Sequence, residues 1–159
     1  MFTIPDIVII IRRLSSTQRM SLRRVMKVSY LLDWHMSFKM GLSSDHQWVY
    51  GGCGPTDFRL EKMIRDDTTS LELREIDNHY GGTKLSVFCH NEVASVRENQ
   101  NLDIALNRVS SHLMDISWSE LARIVASTYP MSKHHPGEVL DLRQCAAEYN
   151  ELLSRRIRP

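Results

Sequence analysis

Cysteine is sparse in this chain of 159 residues: Cys53, Cys89 and Cys145 are an odd number at wide spacings, with no CxxC pair. That pattern argues against a disulfide scaffold and fits a reducing cytoplasm, which is the expected location. Proline and glycine are scarce as well, and aromatic residues are spread throughout, so the composition is that of a folded chain rather than a disordered one. Long apolar runs are missing. The run at residues 7–11, Ile-Val-Ile-Ile-Ile, follows Asp6 and stops at Arg12-Arg13. A spanning helix needs about twenty apolar residues, and a signal peptide carries its positive charge in front, so this stretch reads as the buried side of a short helix. No membrane is expected as a partner. Charge of one sign is also missing: the net charge is +1, which leaves the whole chain without a preference for acidic partners.

The recognisable signatures of chemistry are absent too. The stretch from Trp48 to Pro55, WVYGGCGP, is glycine-rich, but a phosphate cradle needs successive backbone N–H groups followed by a lysine and a hydroxyl. Here the last glycine precedes Pro55, which has no N–H, and no lysine follows until Lys62. Cys53 could act as a nucleophile at a helix start only if the fold supplied a base, and no spacing in the sequence points to one. The seven histidines form neither an H-x3-H pair nor an HExxH, and His134-His135 and Cys89-His90 are bare neighbours. The sequence therefore predicts no catalytic residue, no metal site and no cofactor. What remains for WVYGGCGP is a structural turn: Trp48 and Tyr50 pack a short strand onto helices, and Gly54-Pro55 turns it into the next helix, with proline at the first helical position.

What is present is length and periodicity. At this length one domain buries roughly two-thirds of its unfolded surface, enough for a core without staples. The spacing predicts a helix from Pro5 to about Leu14. A second runs from Ser21 to Met40, apolar on two faces and therefore central, with Gly41 as its cap. A strand is expected over residues 46–50, a helix with Phe58, Leu60, Met63 and Ile64 on it, and a hairpin made of residues 71–76 and 84–89 around Gly81-Gly82. Leu102, Ala105, Leu106, Val109 and Leu113 form a further stripe. Ser117 and Glu120 form a capping box for a helix from Leu121 to Tyr129, stopped by Pro130, and Asp141 with Gln144 opens the last helix, to about Ile157. The expected fold is mainly α: one helical domain spanning residues 1–159 with a small β element.

Charge is unevenly distributed. Residues 12–27 hold six basic side chains (Arg12, Arg13, Arg19, Arg23, Arg24, Lys27) and no acid, residues 57–77 hold seven acids against four bases, and Arg155, Arg156 and Arg158 close the chain. Each run is either a solvated face or a docking patch. The helices around residues 118–129 and 142–157 are too far apart for a helix-turn-helix, so a nucleic-acid-binding regulator rests on the two basic ends alone.

Taken together, Lys27-Val-Ser-Tyr30-Leu31-Leu-Asp33-Trp34, Gly41, Trp48-Val-Tyr50 and Gly54-Pro55 resemble the Panacea (SocA-like) antitoxin domain. Its second half is matched by Ser117-Trp-Ser-Glu-Leu121, by Ser127-Thr-Tyr-Pro130 after Val125, and by Leu140-Asp-Leu142 with Ala146. The likeness covers about residues 5–153. Cys53 stands where the family usually has an aromatic or a histidine, residues 42–45 lack a usual threonine, and Gly51-Gly52 replace larger residues. The resemblance implies a mainly helical fold and a non-enzymatic role: neutralising a cognate protein toxin, encoded next door, by direct contact, or handing it to a protease. Basic toxin grooves would suit an acidic surface, which makes Asp57, Glu61, Asp66 and Asp67 candidate contacts; Arg19, Arg23 and Arg24 would suit an acidic partner instead. Trp34, Trp48 and Tyr80 are candidate anchors if exposed.

Overall fold

The first helix forms because its start is satisfied from both sides. In this computed structural model, which describes residues 2–42, 44–77, 81–90 and 99–157, Thr3 accepts from the Asp6 N–H while the Asp6 carboxylate accepts from the Thr3 N–H and hydroxyl. This capping box opens α1 (Ile4–Leu14), whose Ile7, Val8, Ile10, Ile11 and Leu14 are all buried. After a turn through Gln18, three residues form β1 (Arg19–Ser21), and Ser21 caps the central helix α2 (Leu22–Met40). Gly41 ends α2 in the left-handed conformation, φ 66°, where a side chain would strain the backbone.

Two short strands follow, β2 (Val49–Gly51) and β3 (Gly54–Thr56), joined by the two-residue turn Gly52-Cys53. Contrary to expectation, Gly54-Pro55 does not open the next helix. Pro55 is not the first residue of a helix; it sits in β3 opposite Tyr50. The helix α3 (Phe58–Asp66) begins after Asp57, whose carboxylate accepts from the N–H groups of Arg59 and Leu60. A strand tolerates proline where the missing N–H is not needed by a neighbour. Next comes the hairpin β4 (Leu71–Asp77) and β5 (Thr83–Cys89), followed by α4 (Gln100–Leu113), α5 (Trp118–Ala126), α6 (Tyr129–Lys133) and α7 (Leu142–Ile157). Helices hold 57% of the described residues, so the chain is mainly helical with small antiparallel sheets. No helix among the described residues is long and apolar enough to cross a membrane.

β1 was not legible in the sequence. It pairs with β5, Met20 opposite Val87, giving a three-stranded antiparallel sheet in the order β1-β5-β4. The second correction concerns Pro130, which does not stop α5. That helix ends at Ala126, and Pro130 lies in the first turn of α6. Both anticipated capping boxes form only by half: Ser117 and Asp141 accept from Glu120 and Gln144, but those side chains turn away to Arg123 and Glu148.

α2 lies in the middle, touching α1, α4, α5 and α7 and the strands β1, β3 and β5. One apolar cluster runs through the chain from Phe2 to Ala146. Residues 137–140, between α6 and α7, lie along the free edge of β2: Tyr50 N–H donates to Glu138 O (2.8 Å), Gly137 N–H to Tyr50 O (2.7 Å) and Leu140 N–H to Trp48 O (2.8 Å). The glycine hairpin is thereby held on one side by the last inter-helix loop and on the other by α2.

Candidate functional site

The motif residues of α2 reach toward the hairpin from one helix face. Lys27, Tyr30 and Asp33 follow one another at a spacing of three, which stacks them along one side of a helix. Lys27, nearly fully buried, donates its ammonium to the carbonyl of Cys53 at the hairpin tip, and the Trp118 ring centroid lies 5.2 Å away. Burial lowers the Lys27 pKa, as does the Arg23 charge, while a Cys53 thiolate would raise it. Tyr30 shares a 2.7 Å hydrogen bond with the hydroxyl of Thr128 and packs edge-on against Trp48. Burial pushes its phenol well up, against the Thr128 hydrogen bond. Asp33, fully buried, accepts from Trp48 Nε1 (2.7 Å) and Ser44 Oγ (2.6 Å). Leu31 and Trp34 are buried at 8% exposure each, Trp34 stacked on Phe38 and near Tyr149.

A second buried polar group anchors the other side. Asp57 accepts from the N–H groups of Gln47 (2.9 Å), Arg59 (2.8 Å) and Leu60 (3.2 Å) and from His46 Nδ1 (2.9 Å). His46 Nε2 in turn accepts from the Phe2 N–H, which fixes the Nδ1-protonated tautomer. Burial alone would raise the Asp57 pKa, but the four donors outweigh it and hold the carboxyl below its ordinary value.

These arrangements redistribute the anticipated contact residues. Asp57 is withdrawn from any partner surface, since it is fully buried and its carboxylate is spent on the fold. Trp48 is completely buried and Trp34 nearly so, so neither is an anchor; Tyr80 lies outside the described residues. On α3, Glu61 pairs with Arg65, and Lys62 pairs with Asp66. Asp67 accepts from the N–H groups of Ser70 and Leu71. The basic run is largely engaged as well. Arg12 donates to His90 O, Arg13 to Asp103 and Asn107, and Arg24 to Ile116 O (2.5 Å). Arg19 lies beside the Phe88 ring, while Arg23 is exposed. The acidic and basic candidates therefore do not converge on one site.

What the surface offers instead is apolar. Phe58 is 70% exposed and Val139 61%, and with Val49, Gln47 and Arg59 they border a shallow cleft of about 240 Å³ beside the base of the hairpin. Val139 bridges to Val49 through the strand-like loop. Trp118, 43% exposed, borders the tip. Sequence reasoning grouped Phe58 with Leu60, Met63 and Ile64, but Leu60 and Ile64 lie on the buried face of α3. Phe58, two residues before Leu60, is about 200° round the helix from it and faces out. That offset was the available signal. Of the cysteines, Cys53 is exposed with Lys27 beneath its carbonyl, and burial pushes the thiols of Cys89 and Cys145 up to about 11 each. No cluster of three or more metal-ligating side chains occurs among the described residues.

Compared with known proteins, the chain matches no family model, no curated protein and no solved structure.

Proposed function

We propose that this chain is an antitoxin-like protein-binding module. It neutralises a cognate toxin, encoded next door, by direct contact in the cytoplasm and without catalysis of its own. The observation that carries this reading is the apolar pad beside the glycine hairpin, where Phe58 and Val139 stand far more exposed than large apolar side chains need to be. An exposed aromatic with apolar neighbours beside a shallow cleft is a usual anchor of protein contacts. The likeness to Panacea domains supports the same reading. Its motif residues Lys27, Tyr30, Asp33 and Trp48 all serve to seat the hairpin, which leaves the surface around it for a partner.

The nucleic-acid reading draws less support, because Arg12, Arg13, Arg24 and Lys27 spend their charges within the chain instead of forming a stripe. The test is genetic. Each neighbouring open reading frame is expressed alone, then together with this chain, and survival is counted. A neighbour that kills, is rescued and co-purifies is the expected result, and Phe58→Ala should abolish the rescue. Absence of any toxic neighbour, or rescue untouched by loss of the pad, would overturn the proposal.

A further inference from the structure

Among the described residues, the outer edge of β4 has no strand paired to it, and its charges are arranged for a second copy of itself. The sheet order β1-β5-β4 leaves β4 at the edge: no described strand pairs with its outer side, where the Asp67 carboxylate takes one N–H, that of Leu71. The ladder fixes which backbone groups face outward. The His90 N–H donates to Ser70 O, so the bonded pairs run from Ser70 through Glu72, Arg74 and Ile76. Because opposed residues alternate between bonded and unbonded in an antiparallel ladder, Leu71, Leu73, Glu75 and Asp77 turn their N–H and C=O groups outward. The Leu71 N–H does so and is taken by Asp67. The strand carries no proline and no bulge, and the charges that blunt it, Glu72, Arg74, Glu75 and Asp77, are of both signs, so they repel another edge only in the wrong register.

Two copies meeting edge to edge as antiparallel strands are related by a two-fold axis through the sheet, so one residue must face its own counterpart. Centring on Glu72, Arg74, Glu75 or Asp77 sets like charges against each other, centring on Ile76 sets Glu75 against Asp77, and centring on Leu71 needs an N–H that Asp67 already holds. Centring on Leu73 does neither. It places Glu72 opposite Arg74 of the second copy, twice, in the closely spaced unbonded pairs where side chains interact most. Leu73 then exchanges both backbone bonds with its counterpart, and each Glu75 N–H reaches the opposite Leu71 carbonyl. Within one copy, Glu72 and Arg74 already lie side by side on that face, joined by bonds of 2.7 and 2.5 Å, with Arg74 held over the Phe88 ring.

We infer that the chain self-associates as a two-fold dimer through β4, in the register that opposes Leu73 to Leu73. The inference goes beyond the antitoxin reading and does not depend on it. Mass in solution over a concentration series, by light scattering after size exclusion, tests it on the full chain. Wild type should pass from monomer to dimer. Arg74→Glu and Glu72→Arg should each raise the dissociation constant by about tenfold or more, since each sets like charges opposite one another. An equimolar mixture of the two variants should form a one-to-one dimer, because the acidic edge of one then faces the basic edge of the other. The double variant E72R/R74E restores the cross-pairs and should dimerise like wild type, which guards against a single variant that merely misfolds. Glu75→Pro, which removes an outward N–H at an exposed position, should be monomeric with unchanged helicity. A wild type that stays monomeric throughout, or a dimer indifferent to the charge reversals, or a mixture that fails to pair, would overturn the inference.

Discussion

At the scale of single residues, the buried polar groups carry the most leverage, because each satisfies several partners at once. Asp57 is one: with Ala there, three backbone N–H groups and His46 Nδ1 lose their acceptor. Asp57→Ala should therefore cost about 3 kcal/mol in chemical denaturation, the combined scale of a lost helix cap and unsatisfied buried donors. Its pH dependence has a definite sign. A carboxyl held below its ordinary value in the folded chain stabilises the fold above the unfolded pKa, and that stability is lost as pH falls through the lowered folded value. Melting temperature measured from neutral pH into acid should thus fall less steeply in Asp57→Ala than in wild type. A second residue-scale prediction uses glycines two apart. Gly54 has φ 110°, and a Cβ there would collide with the Lys27 ammonium, whereas a Cβ on Gly52 meets nothing. Gly54→Ala should cost about 2 kcal/mol or more and Gly52→Ala far less, compared by their denaturation midpoints.

At the scale of elements, the hairpin β2-β3 is too short to stand alone and exists because others hold it. The loop 137–140 supplies backbone bonds along β2, and α2 supplies Lys27 beneath the tip and Asp33 beneath Trp48. Trp48→Phe keeps the aromatic bulk but removes the indole N–H, leaving Asp33 with one donor fewer in a fully buried position. A loss of about 1–3 kcal/mol is expected, with hydrogen exchange rising first at the amides of Tyr50 and Leu140, which bridge the hairpin to the loop. Equal protection of those amides in the variant and wild type would show that the hairpin does not depend on this anchor.

At the scale of the whole molecule, the same residues that make the surface interesting should be dispensable for folding. Phe58 and Val139 project from an otherwise satisfied α3 and loop. Phe58→Ser combined with Val139→Ser should shift the melting temperature little, since exposed substitutions usually change stability by less than about 0.5 kcal/mol. On the proposed function the pair should abolish toxin capture. Variants that bind as wild type does would overturn the proposed function, and variants that unfold would show the pad to be part of the core.

Six of the seven described helices were legible in the sequence because their information is local; the short α6 was not, its first residue being read as the end of α5. Apolar residues recurring at three and four, Gly41 after α2 and Ser117 before α5 act within a turn or two of the chain, and they lie where the structure has them. The hairpin of β4 and β5 was legible for the same reason, its alternation and its glycines being neighbours in sequence. β1 was not: three residues pair with a strand some sixty-five positions later, and no short window contains that partner. Nor could the sequence decide which of its many charged residues are spent inward. Asp57 and Glu61 are both acids at the start of one helix, yet the first is sealed by His46 and three amides and the second pairs with Arg65 at the surface. The reading of WVYGGCGP as a hinge followed from proline's taste for helix starts, a local rule overruled when residues 54–56 folded back on residues 49–51, a short hairpin that Gly137, Glu138 and Leu140, ninety residues away in sequence, hold along its other edge. Local periodicity, capping and composition were set by the sequence itself; burial, pairing and exposure were decided only by the tertiary structure, because each depends on which distant segment arrives to satisfy a backbone group or cover a side chain.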